Sequence, residues 1–270
     1  MATRPGLMTS NLPQISEQDL KDTTSPARGK EMRTNLLSKL RPPPFVHTWD
    51  FYHDRQNRSD DPKNSGGNDD GNEDGSPDKP YAPRLAHMTS INDIRDFWSL
   101  YNNAPFIDKL PVSDSVHLFH KGVKPVWEDP RNNRGGSWAF RVEKKWVLKR
   151  GAPEGSTDPA YRELLSTVFF REVCLLAVGE HLQEAVKSKR ITFLDDITGV
   201  SLSIRRAGHN LIQIWNRDCE NTAGIQKILE TVLAGIAPDL VPKSHLYYYK
   251  AHRDHVGFVP VISGGVEEGK

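Results

Sequence analysis

The chain has 270 residues and only two cysteines, Cys174 and Cys219. That is too few for a disulfide framework or a cysteine-built zinc site, and both read as reduced packing residues. No run approaches the ~18 apolar residues of a membrane span, and the N-terminus has no apolar leader segment. A protein of the cytoplasm or nucleus, without membrane contact, is expected. The formal net charge is +1, which argues against a broadly basic coat for nucleic acid, so any nucleotide recognition must be local. A glycine-rich phosphate loop, a nucleophile elbow and an HExxH helix are all missing. His245, His252 and His255 cluster near the C-terminus, but no cysteine or paired carboxylate stands at ligand spacing, so neither a metal nor another cofactor is expected. Glu163, Glu172 and Glu180 are too dispersed to build a metal-dependent hydrolase. No residue is assigned a catalytic role.

Hydrophobic residues make up 36% and charged residues 26%, which suits one globular domain carrying unstructured sequence. Residues 1–42 lack any sustained period and end in Pro42-Pro43-Pro44, reading as a disordered tail. Residues 43–258 form the domain. Within it, a stretch of Asp, Asn, Gly, Ser, Pro and Glu over about 54–80 cannot offset the entropy of ordering its backbone and reads as a disordered insertion. Residues 259–270 read as a flexible tail.

Inside the domain the period switches between two and 3.6. Trp49 and Phe51 alternate with polar neighbours, as do Trp138, Phe140 and Val142, and again Val200, Leu202 and Ile204. These predict strands buried on one face, the mark of an antiparallel sheet. Ser90 as N-cap with Asp93 three places on opens a predicted helix carrying Ile91, Ile94, Phe97, Trp98 and Tyr101. A second helix is predicted over 161–180, ending at Gly179, and a third over 223–235. Asn132-Asn133-Arg134-Gly135-Gly136 is expected to supply positive-φ residues for a hairpin turn before Trp138.

Among side chains that could bind a ligand, Trp127-Glu128 is the most informative pair, set just before that turn. An indole beside a carboxylate suits a 7-methylguanine ring. The ring's positive charge makes stacking a cation–π contact, and a carboxylate can accept from the guanine N–H groups. The same spacing also fits a core tryptophan beside a solvated glutamate. Arg205 and Arg206, at a strand end, could hold a polyphosphate or merely form a solvated rim.

The ordered strings HTWDFY, DIRDFWSLYNN, HLFHKGVKPVWEDPRNNRGGSW, GVSLSIR and IQIWNRDCEN resemble the translation initiation factor 4E family over roughly residues 43–255. The resemblance implies an α+β fold, a cupped antiparallel sheet of about eight strands backed by three helices. It implies a monomer that binds the 7-methylguanosine cap of messenger RNA between two aromatic rings. Trp127 and Glu128 match one stacking residue and its neighbouring base-pairing glutamate. Counting back from Trp98 puts the other stacking residue at Tyr81, and a tyrosine there is similar to the second, cap-binding-homologue class, often repressors. Trp49 or Tyr52 is the next candidate should Tyr81 not serve. Arg205 is preferred over Arg206 as the first phosphate contact, the family's following lysine falls on Leu211, and Trp215 matches the tryptophan near the base's methyl group. Pro44, Ile94, Trp98, Glu172, Leu175 and Gly179 match the surface that takes helical peptides of scaffold or repressor proteins, with Arg171 replacing an apolar residue there. A general initiation factor and an adaptor without cap binding are the alternatives carried forward.

Overall fold

A computed structural model of the chain describes residues 42–55, 85–103, 107–187, 195–256 and 258. The expectations for the tail before residue 42, for the insertion from residue 56 onward, for Tyr81 and for the tail after residue 258 therefore lie outside the described residues.

Among the described residues nine strands run in chain order: β1 (Pro44–Asp54), β2 (Leu85–Asp93), β3 (Ser115–His120), β4 (Gly136–Glu143), β5 (Trp146–Leu148), β6 (Arg162–Leu164), β7 (Ile197–Ser203), β8 (His209–Asn216) and β9 (Tyr247–Ala251). Seven of them form one sheet in the order β2-β1-β3-β7-β8-β4-β9, and β5 and β6 form a separate pair. Every pairing is antiparallel. The α+β class is as expected, with seven strands in the main sheet. The helices are α1 (Ile94–Asn103), α2 (Leu165–Val178), the short α3 (His181–Val186) and α4 (Thr222–Gly235).

Period-two alternation decides which residues the helices cover. Trp49, Phe51, Val116, Leu118, Trp138, Phe140, Val200, Leu202, Ile212 and Ile214 point to one face and join Phe169, Val173 and Ile228 of the helices in one buried cluster. Burying a side chain such as Phe140 contributes about 1.5–3 kcal/mol relative to leaving it exposed. The indole N–H of Trp138 donates to the Ile225 carbonyl at 2.7 Å, which satisfies its polar atom against α4. Trp49 is 1% exposed, so it is a core residue and drops out as a stacking candidate.

Three local readings are corrected. The first helix begins at Ile94, because Asp93 and not Ser90 accepts from the N–H groups of Arg95 and Asp96, at 2.7 and 3.0 Å. Ser90 instead donates to Asp50 across the sheet at 2.7 Å, and Ile91 belongs to β2 opposite Trp49. The second helix begins at Leu165, because Arg162–Leu164 pair with β5. Gly135 and Gly136 do not supply positive φ; among the described residues that backbone occurs at Ser113, Gly122, Gly151, Gly155 and Glu180. The two glycines answer a close approach, since a Cβ at Gly135 would sit 2.0 Å from the Asn216 carbonyl oxygen.

Candidate functional site

The face of the sheet away from the helices has a polar floor. Ser115 Oγ donates to Ser203 Oγ at 2.9 Å, Gln213 donates to Ser137 Oγ at 3.1 Å, and His117 Nδ1 lies 2.8 Å from Ser201 Oγ. The two bonds between β3 and β7 join residues in register, and the bond between β4 and β8 runs diagonally, since Gln213 stands opposite Ala139. At one end of this floor the polarity gives way to Phe119, Val123 and Trp215, with Tyr52 and Trp127 packed against them. Phe119 lies across Gly199, where a Cβ would come within 2.3 Å of its ring, so this strand position demands glycine for space.

The loop between β3 and β4 is tied by two side chains that flank Trp127-Glu128. Asp129 accepts from the Lys124 and Arg131 N–H groups, both at 2.9 Å. Asn132, fully buried, donates to the carbonyls of Lys124 and Val126 at 2.8 and 2.9 Å. Asp and Asn close turns through such backbone bonds, and here they hold the indole and the carboxylate between two fixed points. Arg131 pairs with Asp196 and so fastens the loop to the approach to β7.

Trp127 is half-buried and Glu128 exposed beside it. The Trp127 ring stacks on His255 with centroids 4.7 Å apart and planes 24° apart. His255 lies 6.3 Å from His252, which lies 4.4 Å from Trp215. These four rings form a row at the aromatic end. Burial, with His255 adding to it, pushes His252 down to about 3, and burial with the Lys250 charge lowers His255. Both imidazoles are therefore neutral at pH 7. Burial and the Asp50 charge push the Tyr52 phenol up to about 12.

A cleft of about 940 Å³ covers this floor, and its lining includes Trp127, Glu128, Trp215, Arg205, Leu211 and His255. Trp215 and Leu211 stand roughly 13 Å apart along β8 at the usual strand rise. Arg205 follows the end of β7 with its backbone pinned: its N–H donates to Asn210 Oδ1 at 3.3 Å, and its carbonyl accepts from the Lys144 ammonium. Its side chain reaches the cleft, whereas Arg206 is exposed and outside the lining. One cleft thus joins an electron-rich ring, a carboxylate and a guanidinium, a set that fits a flat cationic head with an anionic tail.

The second set of expected residues lies on the helix side. Trp98 is 38% exposed on α1, and Phe97 beside it is buried. Ile94, Glu172 and Leu175 are partly buried, and Pro44 and Gly179 are exposed. His47 pairs with Glu180 at 3.0 Å, which ties β1 to the end of α2. Arg171 makes two hydrogen bonds to Glu163, at 2.7 and 3.3 Å, and its guanidinium lies 5.6 Å over the Tyr101 ring. The substituted arginine is therefore neutralised within the protein.

Sequence reasoning missed the clamps Asp129 and Asn132, the ring of His255, and the cleft residues Tyr248 and Lys250. Asp129 and Asn132 carry the turn-former signal that could have revealed them. His252 and His255 were noticed only as metal candidates, and among the described residues no three metal-type ligands gather.

The sequence model of the family described as Eukaryotic initiation factor 4E matches residues 44–260. Similar proteins include Eukaryotic translation initiation factor NCBP of Oryza sativa subsp. japonica, 25% identical over 64% of this chain and 62% of that protein. Eukaryotic translation initiation factor 4E of Candida albicans is 26% identical over 51% of this chain and 55% of that protein. The chain thus spans less than two thirds of the length of these relatives. Among solved structures, Ascaris suum eIF4E-3 with m7G cap has a TM-score of 0.56 at 21% identity, over 82% of this chain and 97% of that one. Caenorhabditis elegans eIF4E-3 with the 4E-binding protein Mextli and cap analog has a TM-score of 0.55 at 21% identity, over 78% and 93%. With four fifths of its length matched by the family model and the fold shared with these structures, the chain belongs to the eukaryotic initiation factor 4E family.

Proposed function

We propose that this protein binds the 7-methylguanosine cap of messenger RNA in the cleft, without acting on it chemically, and regulates translation through a helical-peptide partner bound on the helix side. The observation that carries the reading is the pair Trp127 and Glu128, adjacent on a clamped rim of a cleft that also contains Arg205. A positively charged methylated base stacks on the indole, its N–H groups donate to Glu128, and its phosphates meet the Arg205 guanidinium. The solved complexes of Ascaris suum eIF4E-3 with m7G cap and of Caenorhabditis elegans eIF4E-3 with the 4E-binding protein Mextli support the two halves of the reading. Leu211, at the position of the family's second phosphate-binding cation, favours the cap-binding-homologue class over a general initiation factor. Tyr81 is the proposed second stacking residue, and Tyr52, packed against the same aromatic platform as Trp127, is its described alternative. The work is assigned to the cytoplasm, where capped messages are translated.

The test is retention on immobilised 7-methylguanosine, with elution by a cap analogue and not by GTP. Trp127→Ala and Glu128→Ala should each abolish retention while circular dichroism stays native. Undiminished retention in both variants would sink the reading. In the same preparation Trp98→Ala should lose the partner protein yet keep the cap, because an exposed tryptophan is a typical interface anchor. Loss of both together would assign Trp98 to the core instead.

A further inference from the structure

On β9, Tyr247 and Tyr249 face the helices and meet the Trp138 ring at 6.1 and 5.8 Å. Tyr248 between them must point the other way. It lines the cleft and is 40% exposed, an unusual state for a large ring in mid-strand. The Arg141 guanidinium lies 5.2 Å from its ring centroid, a cation held over one face. Lys250, two residues on, lines the same cleft. Register sets these groups side by side, with Ala139 opposite Tyr248 and Ser137 opposite Lys250, so small side chains leave room around the phenol. Glu143, the carboxylate two residues beyond Arg141 on β4, faces Lys145 at 3.9 Å. Tyr248, Arg141 and Lys250 belong neither to the core cluster nor to the contacts proposed for the cap.

An accessible ring, a guanidinium and an ammonium on one strand pair are the components of a single-stranded nucleic-acid platform, where bases stack on aromatic faces and cations follow the backbone. The cleft, at about 940 Å³, lies at the upper end of the ~300–1,000 Å³ range of small-ligand sites. Its lining joins Trp127 to Tyr248 and Lys250, so a ligand seated at Trp127 has these groups within the same cleft. Resting on the cap-binding reading, we propose that Tyr248, Arg141 and Lys250 form a subsite for the RNA that follows the cap. The next base stacks on the Tyr248 face turned to the cleft, and Arg141 and Lys250 hold its phosphates.

The experiment titrates the full chain with 7-methylguanosine triphosphate and with a capped oligonucleotide. The wild type should bind the oligonucleotide about tenfold more tightly than the nucleotide, the gain expected of one base stacked on an aromatic ring. Tyr248→Ala should erase that gain and leave nucleotide affinity within about twofold, and Tyr248→Phe should keep it, since stacking needs the ring and not the hydroxyl. Arg141→Ala and Lys250→Ala should reduce the gain and flatten its salt dependence. Equal loss for both ligands in Tyr248→Ala would make the ring a structural residue, and no loss for either would remove it from the site. Either result overturns the subsite while leaving cap binding standing. A wild type that binds neither ligand overturns the cap reading and the subsite with it.

Discussion

The two faces of the main sheet are cut from the same strands, yet they solve burial differently. On β4 the helix-side residues are Trp138, Phe140 and Val142, and the cleft-side residues are Ser137, Ala139 and Arg141. On β7 Val200 and Leu202 alternate with Ser201 and Ser203. The first set is sealed by helices and held by apolar contact. The second is also deeply placed, with Ser137 and Ser201 each 1% exposed and His117 4% exposed, but its polar groups are paired sideways, strand to strand. A floor whose serines and glutamine already bond one another has little left to offer a ligand. Recognition of the cap therefore falls to the ends of the cleft, where Trp127, Glu128 and Arg205 stand on loops, and the further subsite to Tyr248, Arg141 and Lys250, whose side chains those bonds leave out.

The largest expected effect separates the faces outright. Trp138→Ala should cost about 3–5 kcal/mol by opening a cavity under α4, whereas Ser137→Ala, one residue away, should cost about 1 kcal/mol for a lost hydrogen bond. Urea denaturation of the two variants measures both, and equal losses would dissolve the distinction.

Acid should attack the buried histidines of both faces, His117 on the cleft floor and His120 beside Trp49 among them. Burial pushes His117, His120 and His252 down to about 3 from the ordinary 6.5. A lowered imidazole contributes stability that is complete above the unfolded value and is lost as pH falls toward the folded one. Each such ring should therefore cost about 2 kcal/mol at pH 5 relative to pH 7. Asp195, pushed up to about 6 by burial, works in the opposite sense and returns about 1 kcal/mol over the same interval. Thermal unfolding should show a lower midpoint at pH 5, with a smaller drop in His117→Phe. An unchanged midpoint would mean that these rings are not held neutral.

Next in size, Arg205→Ala should weaken cap triphosphate about tenfold and leave the bare methylated nucleoside unaffected, since the lost group faces phosphate. Equal weakening of both ligands would remove Arg205 from that role. The smallest effect is expected at His255. Its ring stacks on Trp127 and steadies it, so His255→Ala should weaken cap binding by about 0.5–1 kcal/mol, the worth of one aromatic pair. Protonating it below its ordinary 6.5 places a second cation on the indole that the base needs. Affinity should then fall with acid faster in the wild type than in His255→Phe. Tighter binding by His255→Ala would mean that the imidazole occupies the ligand's own place.

The sequence by itself determined which residues could share a face. Period two separated Trp138, Phe140 and Val142 from their neighbours, and the stripe through Val168, Phe169 and Val173 marked the central helix, because both patterns depend only on local backbone geometry. The Trp127-Glu128 pair was legible for a similar reason: its chemistry is carried by adjacent residues. Tertiary structure alone decided the rest. Ser90 lost its predicted capping role because Asp50, forty residues earlier, accepts the hydrogen bond of its hydroxyl. Trp49 and Trp127 are the same residue type, yet one is sealed in the core and the other lines the cleft. His255 reaches Trp127 from a distant part of the chain, and Arg205 rather than Arg206 turns to the cleft because its backbone is pinned by Asn210 and Lys144. These are contacts between segments remote in sequence, set by strand order and register, which local periodicity does not encode.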